Sequence, residues 1–91
     1  LAKNMARKLA TRVRVNVVAP GNVYFEGGSW DEKIKQDKER IDNIIKKTVP
    51  MNRFASPSEI ADSIVFLCSD RASFTTGSVL VIDGGQTVGV M

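Results

Sequence analysis

The sequence predicts an α/β fold in which two buried parallel strands are joined by a helical connection. Two β-branched, apolar runs indicate the strands, one over residues 13–19 and the other over residues 78–82. Near-continuous apolar character is typical of strands in a parallel sheet, where both faces are covered. Helical periodicity fills the chain between the two runs, so we expect a right-handed crossover from the first strand to the second.

A helix is predicted over residues 1–11, before the first strand. Leu1, Met5 and Leu9 lie four residues apart and define one apolar face, with small alanines beside it. The alanines indicate close packing against another element. The first strand should then end at Pro20, because proline cannot donate a backbone hydrogen bond to a sheet.

A second helix is predicted from Ser29 to about Lys47. Ser29 and Glu32 have the spacing of a capping box, in which each side chain bonds a backbone amide of the other residue. Its apolar stripe is narrow, which predicts a lightly packed lid. The helix surface offers two ion pairs at i,i+4 spacing, Asp31–Lys35 and Lys38–Asp42.

A third helix follows a second capping box, Ser56 to Glu59, with Pro57 at its first position. This helix is far more apolar than the lid, so it is predicted to be core, and Cys68 is predicted to be a small core residue. Residues 83–85, Asp-Gly-Gly, follow the second strand. A turn is favoured there over a metal or catalytic carboxylate, because Asp and Gly form turns readily.

Composition limits the function. With 91 residues the chain is at most one small domain or part of one. Because it begins inside a helix without Met, we expect truncation or processing. It has one cysteine and no histidine, which disfavours a disulfide, the usual metal sites and histidine-dependent hydrolases. A net charge of +3 with interleaved signs disfavours nucleic-acid binding. No segment resembles a signal peptide or membrane span, so a cytoplasmic location is expected.

Several segments together resemble the C-terminal half of short-chain dehydrogenases/reductases, most closely the 3-oxoacyl-carrier-protein reductase and glucose-dehydrogenase-like groups. They occur in the family's order and are residues 13–21, 50–54, 56–61, 66–70, 76–77 and 81–85. The resemblance implies that residues 1–91 are the C-terminal portion of one Rossmann-type, doubly wound parallel sheet that binds NAD or NADP.

The resemblance also implies an oxidoreductase that interconverts a small-molecule carbonyl and an alcohol. The family's glycine-rich phosphate motif, catalytic Ser and Tyr-x-x-x-Lys are absent from these 91 residues, since Tyr24 is followed four positions later by Gly28. We therefore assign no catalytic residue and expect the chain alone to be inactive. The residues that read the ribose are usually upstream in this family, so the choice between NAD and NADP stays open.

The family's nicotinamide-contacting segment corresponds to Pro20, Gly21, Asn22 and Val23, which follow the carboxyl end of a predicted parallel strand. A plain strand-ending turn is the alternative. The family usually has Thr four residues after this glycine, whereas this chain has Phe25, which puts the usual cofactor contact in doubt.

The aromatic residues Tyr24, Phe25 and Trp30 are interpreted as a substrate wall within a lid segment of about residues 22–55. They could equally fasten the lid helix to the body. The resemblance further implies a homo-oligomer formed through residues 57–83. Two other functions remain open, a self-associating fragment that binds no cofactor and, least favoured, a small RNA-binding module.

Overall fold

The computed structural model describes residues 1–87. Four α-helices, one 3-10 turn and two strands follow one another in these residues. Their order is α1 (Ala2–Leu9), β1 (Val17–Pro20), α2 (Ser29–Gln36), α3 (Lys38–Thr48), α4 (Pro57–Cys68), the 3-10 turn (Asp70–Ala72) and β2 (Val79–Ile82).

The two strands pair in parallel, as the sequence predicts, with Val17 opposite Val79 and Pro20 opposite Ile82. The first strand begins four residues later than expected. The reason lies at the end of α1, where the backbone N–H of Val13 still donates to the carbonyl of Leu9 at 2.8 Å. The chain therefore completes a helical turn before it becomes extended.

The prediction of a single lid helix was wrong, because this segment forms two helices, α2 and α3. The chain breaks at Asp37, which has φ −159° and ψ 84° and whose carboxylate accepts from the Arg40 amide at 3.1 Å. Ser29 is also not a cap. Gly28 takes that position, and no side chain caps α2 there. Both predicted lid ion pairs form, Lys35–Asp31 at 3.3 Å and Lys38–Asp42 at 2.7 Å.

The largest buried apolar cluster lies on the lid, contrary to the expectation of light packing. Ile41, Ile45 and Val49 are each at most 4% exposed. Aromatic and aliphatic side chains from α2, α3 and the loop after α3 widen the narrow stripe into a core: Trp30, Ile34, Ile44 and Phe54.

Helix α4 begins as predicted, with the reciprocal Ser56–Glu59 capping box and Pro57 at the first helical position. Its predicted role as core is wrong for the described residues, because Leu67 is its only buried residue and Cys68 is exposed. The helix is nevertheless anchored at its end. The Arg14 guanidinium donates to the Leu67 carbonyl at 2.7 Å and to two further carbonyls nearby.

Within residues 1–87, no helix combines the length and the apolar character that crossing a membrane requires.

Candidate functional site

The loop after β1 starts at Gly21, where the chain passes very close to the end of β2. The Gly21 N–H donates to the Ile82 carbonyl at 2.9 Å. A Cβ at position 21 would lie 2.7 Å from the Asp83 Cβ and 2.8 Å from its Cα. Only glycine fits this approach without displacing backbone, so the residue fixes how the two strand ends meet.

Asp83 shapes the neighbouring turn. Its carboxylate accepts from the Gly85 amide at 3.0 Å and from the Thr87 amide at 2.8 Å. Hydrogen bonding by Thr87, followed by the Gly85 amide, holds the pKa of Asp83 below its usual value. These bonds agree with the turn interpretation. Asn22 joins the same turn through its side-chain amide, which donates to the Gln86 Oε1 at 3.2 Å.

Val23 forms an isolated parallel bridge to Ala55 in the loop before α4. The Ala55 N–H donates to the Asn22 carbonyl at 2.9 Å, and the Tyr24 N–H donates to the Ala55 carbonyl at 3.0 Å. Because peptide groups alternate along an extended chain, the N–H and C=O of Val23 point to the opposite side. Neither has a hydrogen-bond partner within residues 1–87, so a donor and an acceptor remain side by side.

A cleft of about 440 Å³ lies at the carboxyl ends of the two strands. In open α/β sheets this end is where ligands bind. The cleft is lined by the predicted residues Pro20, Gly21 and Asn22 from one strand end, together with residues from the other, among them Asp83 and Thr87.

Two of the three predicted lid aromatics, Tyr24 and Trp30, pack against the ring of Phe54. Trp30 and Tyr24 lie 5.2 Å and 6.1 Å from Phe54, measured between ring centroids. Phe25 is separate and 53% exposed, with its ring tip against Gly28. The Tyr24–Phe54–Trp30 contacts join the beginning of the lid segment to its end, and they leave Phe25 as the outward-facing ring.

Asp31 is a site residue whose role the sequence did not reveal beyond its ion pair. Its Oδ1 accepts from the Tyr24 hydroxyl at 2.9 Å, and its Oδ2 accepts from the Gly27 amide at 2.9 Å. The Gly27 bond, then the Tyr24 bond, lowers the pKa of Asp31. The same hydroxyl–carboxylate bond, followed by burial, raises the pKa of Tyr24.

The loop that carries Ala55 is fixed by a second carboxylate. Glu59 pairs with the Arg53 guanidinium through contacts of 2.8 and 2.9 Å and accepts from the Ser56 amide at 2.9 Å. The Arg53 bond and then the Ser56 amide lower the pKa of Glu59 to about 2. The residues that directly follow the two partners of the Val23–Ala55 bridge are thus each held by a carboxylate, Tyr24 by Asp31 and Ser56 by Glu59.

Comparison with known proteins places this arrangement in a family. A family model described as enoyl-(acyl carrier protein) reductase matches residues 1–87. The chain belongs to the short-chain dehydrogenase/reductase family. It is 41% identical over 86 residues to the 3-oxoacyl-[acyl-carrier-protein] reductase of Aquifex aeolicus, an alignment that covers 92% of this chain and 32% of that protein.

Solved structures of the family superpose closely. A 4-hydroxyisoleucine dehydrogenase complexed with NADH matches at a TM-score of 0.82 with 34% identity, over 98% of this chain and 35% of that one. The L-sorbose reductase of Gluconobacter frateurii, complexed with NADPH and L-sorbose, matches at 0.83 with 32% identity, over 98% and 36%. The predicted family and Rossmann-type fold are therefore confirmed, and the chain spans about a third of the length of these relatives.

Proposed function

We propose that this chain is part of an NAD(P)(H)-dependent oxidoreductase that interconverts a small-molecule carbonyl and an alcohol. In this proposal residues 20–23 form the nicotinamide edge of the site, and the catalytic Tyr and Lys come from sequence outside these 91 residues. The observation that carries it is the Val23 peptide, with its N–H and C=O unpaired within residues 1–87. Val23 directly follows Asn22, which lines the cleft at the carboxyl ends of the strands.

The chemistry of that peptide suits a nicotinamide. A primary carboxamide presents one acceptor and two donors, so its oxygen can accept from the Val23 N–H while its NH₂ donates to the Val23 C=O. Bound NAD(P)H would supply the hydride chemistry, and the protein would supply position. Relatives with similar folds are complexed with NADH or NADPH, which supports the same class of cofactor here.

Two further roles belong to the proposal. The lid, about residues 22–55, would form a wall of the substrate site with Tyr24, Phe25 and Trp30 at its base. Residues 57–83 would contact another subunit in a cytoplasmic homo-oligomer. Support for such contacts comes from the shape, since the radius of gyration is 16.1 Å, whereas a compact domain of this length has about 12 Å.

The experiment titrates NADH and, in a separate series, NADPH against the purified chain and follows nicotinamide fluorescence. We expect saturable binding by the wild type and by Val23→Ala, which keeps the backbone N–H. Val23→Pro removes that N–H and leaves the Asn22 and Tyr24 bonds to Ala55 in place, so we expect binding about tenfold weaker, the effect of one lost hydrogen bond. Wild-type protein that binds neither NADH nor NADPH, or a proline variant that binds the cofactor equally well, would contradict the proposal.

The second candidate is a self-associating chain that binds no cofactor. Large apolar side chains on α4 and β2 favour it, since Val65, Val79 and Val81 are 67%, 62% and 49% exposed. Exposed apolar surface of this kind drives association. Sedimentation equilibrium separates the candidates when it is read beside the titration. A dimer or larger species without saturable binding of NADH or NADPH favours this second candidate over the first.

A further inference from the structure

Asp31 is the one buried charged side chain among residues 1–87, at 6% exposure. Burying a carboxylate is unfavourable unless donors replace the lost water. Three donors do so here: the Tyr24 hydroxyl, the Gly27 amide and the Lys35 ammonium group at 3.3 Å. The carboxylate is therefore a junction of three chain segments, the loop after β1, the glycine turn and the second turn of α2.

Tyr24 connects this junction to the candidate cofactor site. It directly follows Val23, and its N–H holds one side of the Val23–Ala55 bridge. Its hydroxyl is fixed by Asp31 at the first turn of α2, and its ring lies against Phe54. A movement of α2 would pull on the Tyr24 side chain and so on the peptide beside it.

We propose that Asp31 is a positioning residue, which acts through Tyr24 to hold the Val23 peptide in the orientation that receives the nicotinamide. This inference rests on the proposed function. Helix capping alone would require only the Gly27 bond. The bond to Tyr24 leaves the helix and reaches seven residues back along the chain, which capping does not explain.

Tyr24→Phe isolates the coupling, because it deletes the hydroxyl and leaves the Gly27 and Lys35 contacts of Asp31 in place. Asp42→Asn is the matched control, since it removes the exposed Lys38–Asp42 pair on the same lid without touching Tyr24. Asp31→Asn is the third variant. Each is prepared in the full 91-residue chain and compared well below its unfolding temperature.

Two readouts are measured: hydrogen exchange of the backbone amide at position 24 by NMR, and the dissociation constant for NADH. For Tyr24→Phe we expect exchange about fivefold faster and NADH binding about fivefold weaker, the ordinary effect of one lost hydrogen bond. Asp42→Asn should change both by less than about twofold. A Tyr24→Phe variant that changes neither, or that changes exchange without affinity, overturns the inference.

A spectroscopic check uses the chain's single tyrosine. Ultraviolet titration should give a Tyr24 pKa above the usual value of about 10 in the wild type and a lower value in Asp31→Asn. An ordinary pKa in the wild type overturns the inference. Absence of both NADH and NADPH binding by the wild type would instead refute the proposed function, and the exchange and titration results would still report the Asp31–Tyr24 link by themselves.

Discussion

Gly21 shows how a residue common at ligand sites can first serve the fold. Its hydrogen takes the place of a side chain that would overlap the backbone of Asp83. The tight approach brings the ends of β1 and β2 together and so creates the cleft. The glycine is thus required by packing, whatever it later contacts.

Gly21→Ala should destabilise the chain by about 2 kcal/mol, the usual cost of forcing an extra carbon into a filled space. Thermal and urea unfolding would measure it. Asn22→Ala, one residue further, is the control; it loses only the bond to Gln86 and should cost about 1 kcal/mol or less. Equal stability of Gly21→Ala and wild type would refute this account of the strand ends.

Glu59 should make the stability of the folded chain depend on pH in the acidic range. Its folded pKa of about 2 lies below the ordinary 4.5, so its contribution is present above about pH 4.5 and is lost as pH falls toward 2. Arg53→Met should raise the Glu59 pKa toward 4.5 and flatten the loss of stability over that interval. NMR titration of the carboxyl and melting curves at several pH values test this. Lys46→Met, at an exposed lid position, should leave both unchanged.

At the residue scale, side-chain contacts were predictable from the sequence where the two partners are close together along the chain. Ser56 and Glu59 are three apart, and Asp31 and Lys35 four apart, so spacing alone identifies each pair. The Tyr24–Asp31 bond was missed because it depends on how the glycine turn folds the loop back onto α2. Spacing carries no signal for such a contact.

At the scale of elements, two sequence patterns that look alike give different helix starts. Ser29 and Ser56 both precede a glutamate by three residues. Only Ser56 has extended backbone and caps its helix, whereas Ser29 is already helical behind Gly28. The Asp31 carboxylate instead reaches back to accept from the Gly27 amide, which is the kind of bond predicted for Glu32, and the capping role predicted for Ser29 is left unfilled because Gly28 has no side chain.

Ser56→Ala should therefore lower stability by about 1 kcal/mol, the typical value for a lost N-cap. Ser29→Ala should be neutral or slightly stabilising, because alanine is the better helix former and no cap bond is lost. Unfolding curves of the two variants provide the comparison. A loss at Ser29 equal to that at Ser56 would restore the capping box predicted for α2.

The lid shows why periodicity alone missed an element boundary. Residues on both sides of Asp37 favour helix, but its carboxylate bonds the Arg40 amide and starts a new helix. Aspartate competes in this way with the continuing backbone pattern. Trp30 of α2 lies against Phe54, and both rings pack on the isoleucine cluster of α3, which is why the narrow stripe became the best-buried cluster.

At the scale of the whole molecule, the parallel pairing of the strands was predictable from the sequence, whereas the burial of the apolar side chains of α4 was not. The apolar run of α4 correctly predicts a helix, yet Val65 and Phe66 are 67% and 47% exposed. Apolar character shows which surface is suited to burial, but it does not identify the segment that covers it. The same reasoning explains Cys68, whose apolar neighbours predicted a core position that the described chain leaves exposed.

We expect the 91-residue chain alone to have no catalytic activity. Tyr24 is its only tyrosine, and its hydroxyl already donates to Asp31, which raises its pKa. A general acid or base works best with a pKa near the working pH, and position 28 offers glycine in place of a lysine that could lower it. We predict no NADH oxidation above buffer with any carbonyl substrate, and no change in Tyr24→Phe. Turnover that scales with chain concentration and disappears in that variant would refute this prediction and make Tyr24 catalytic.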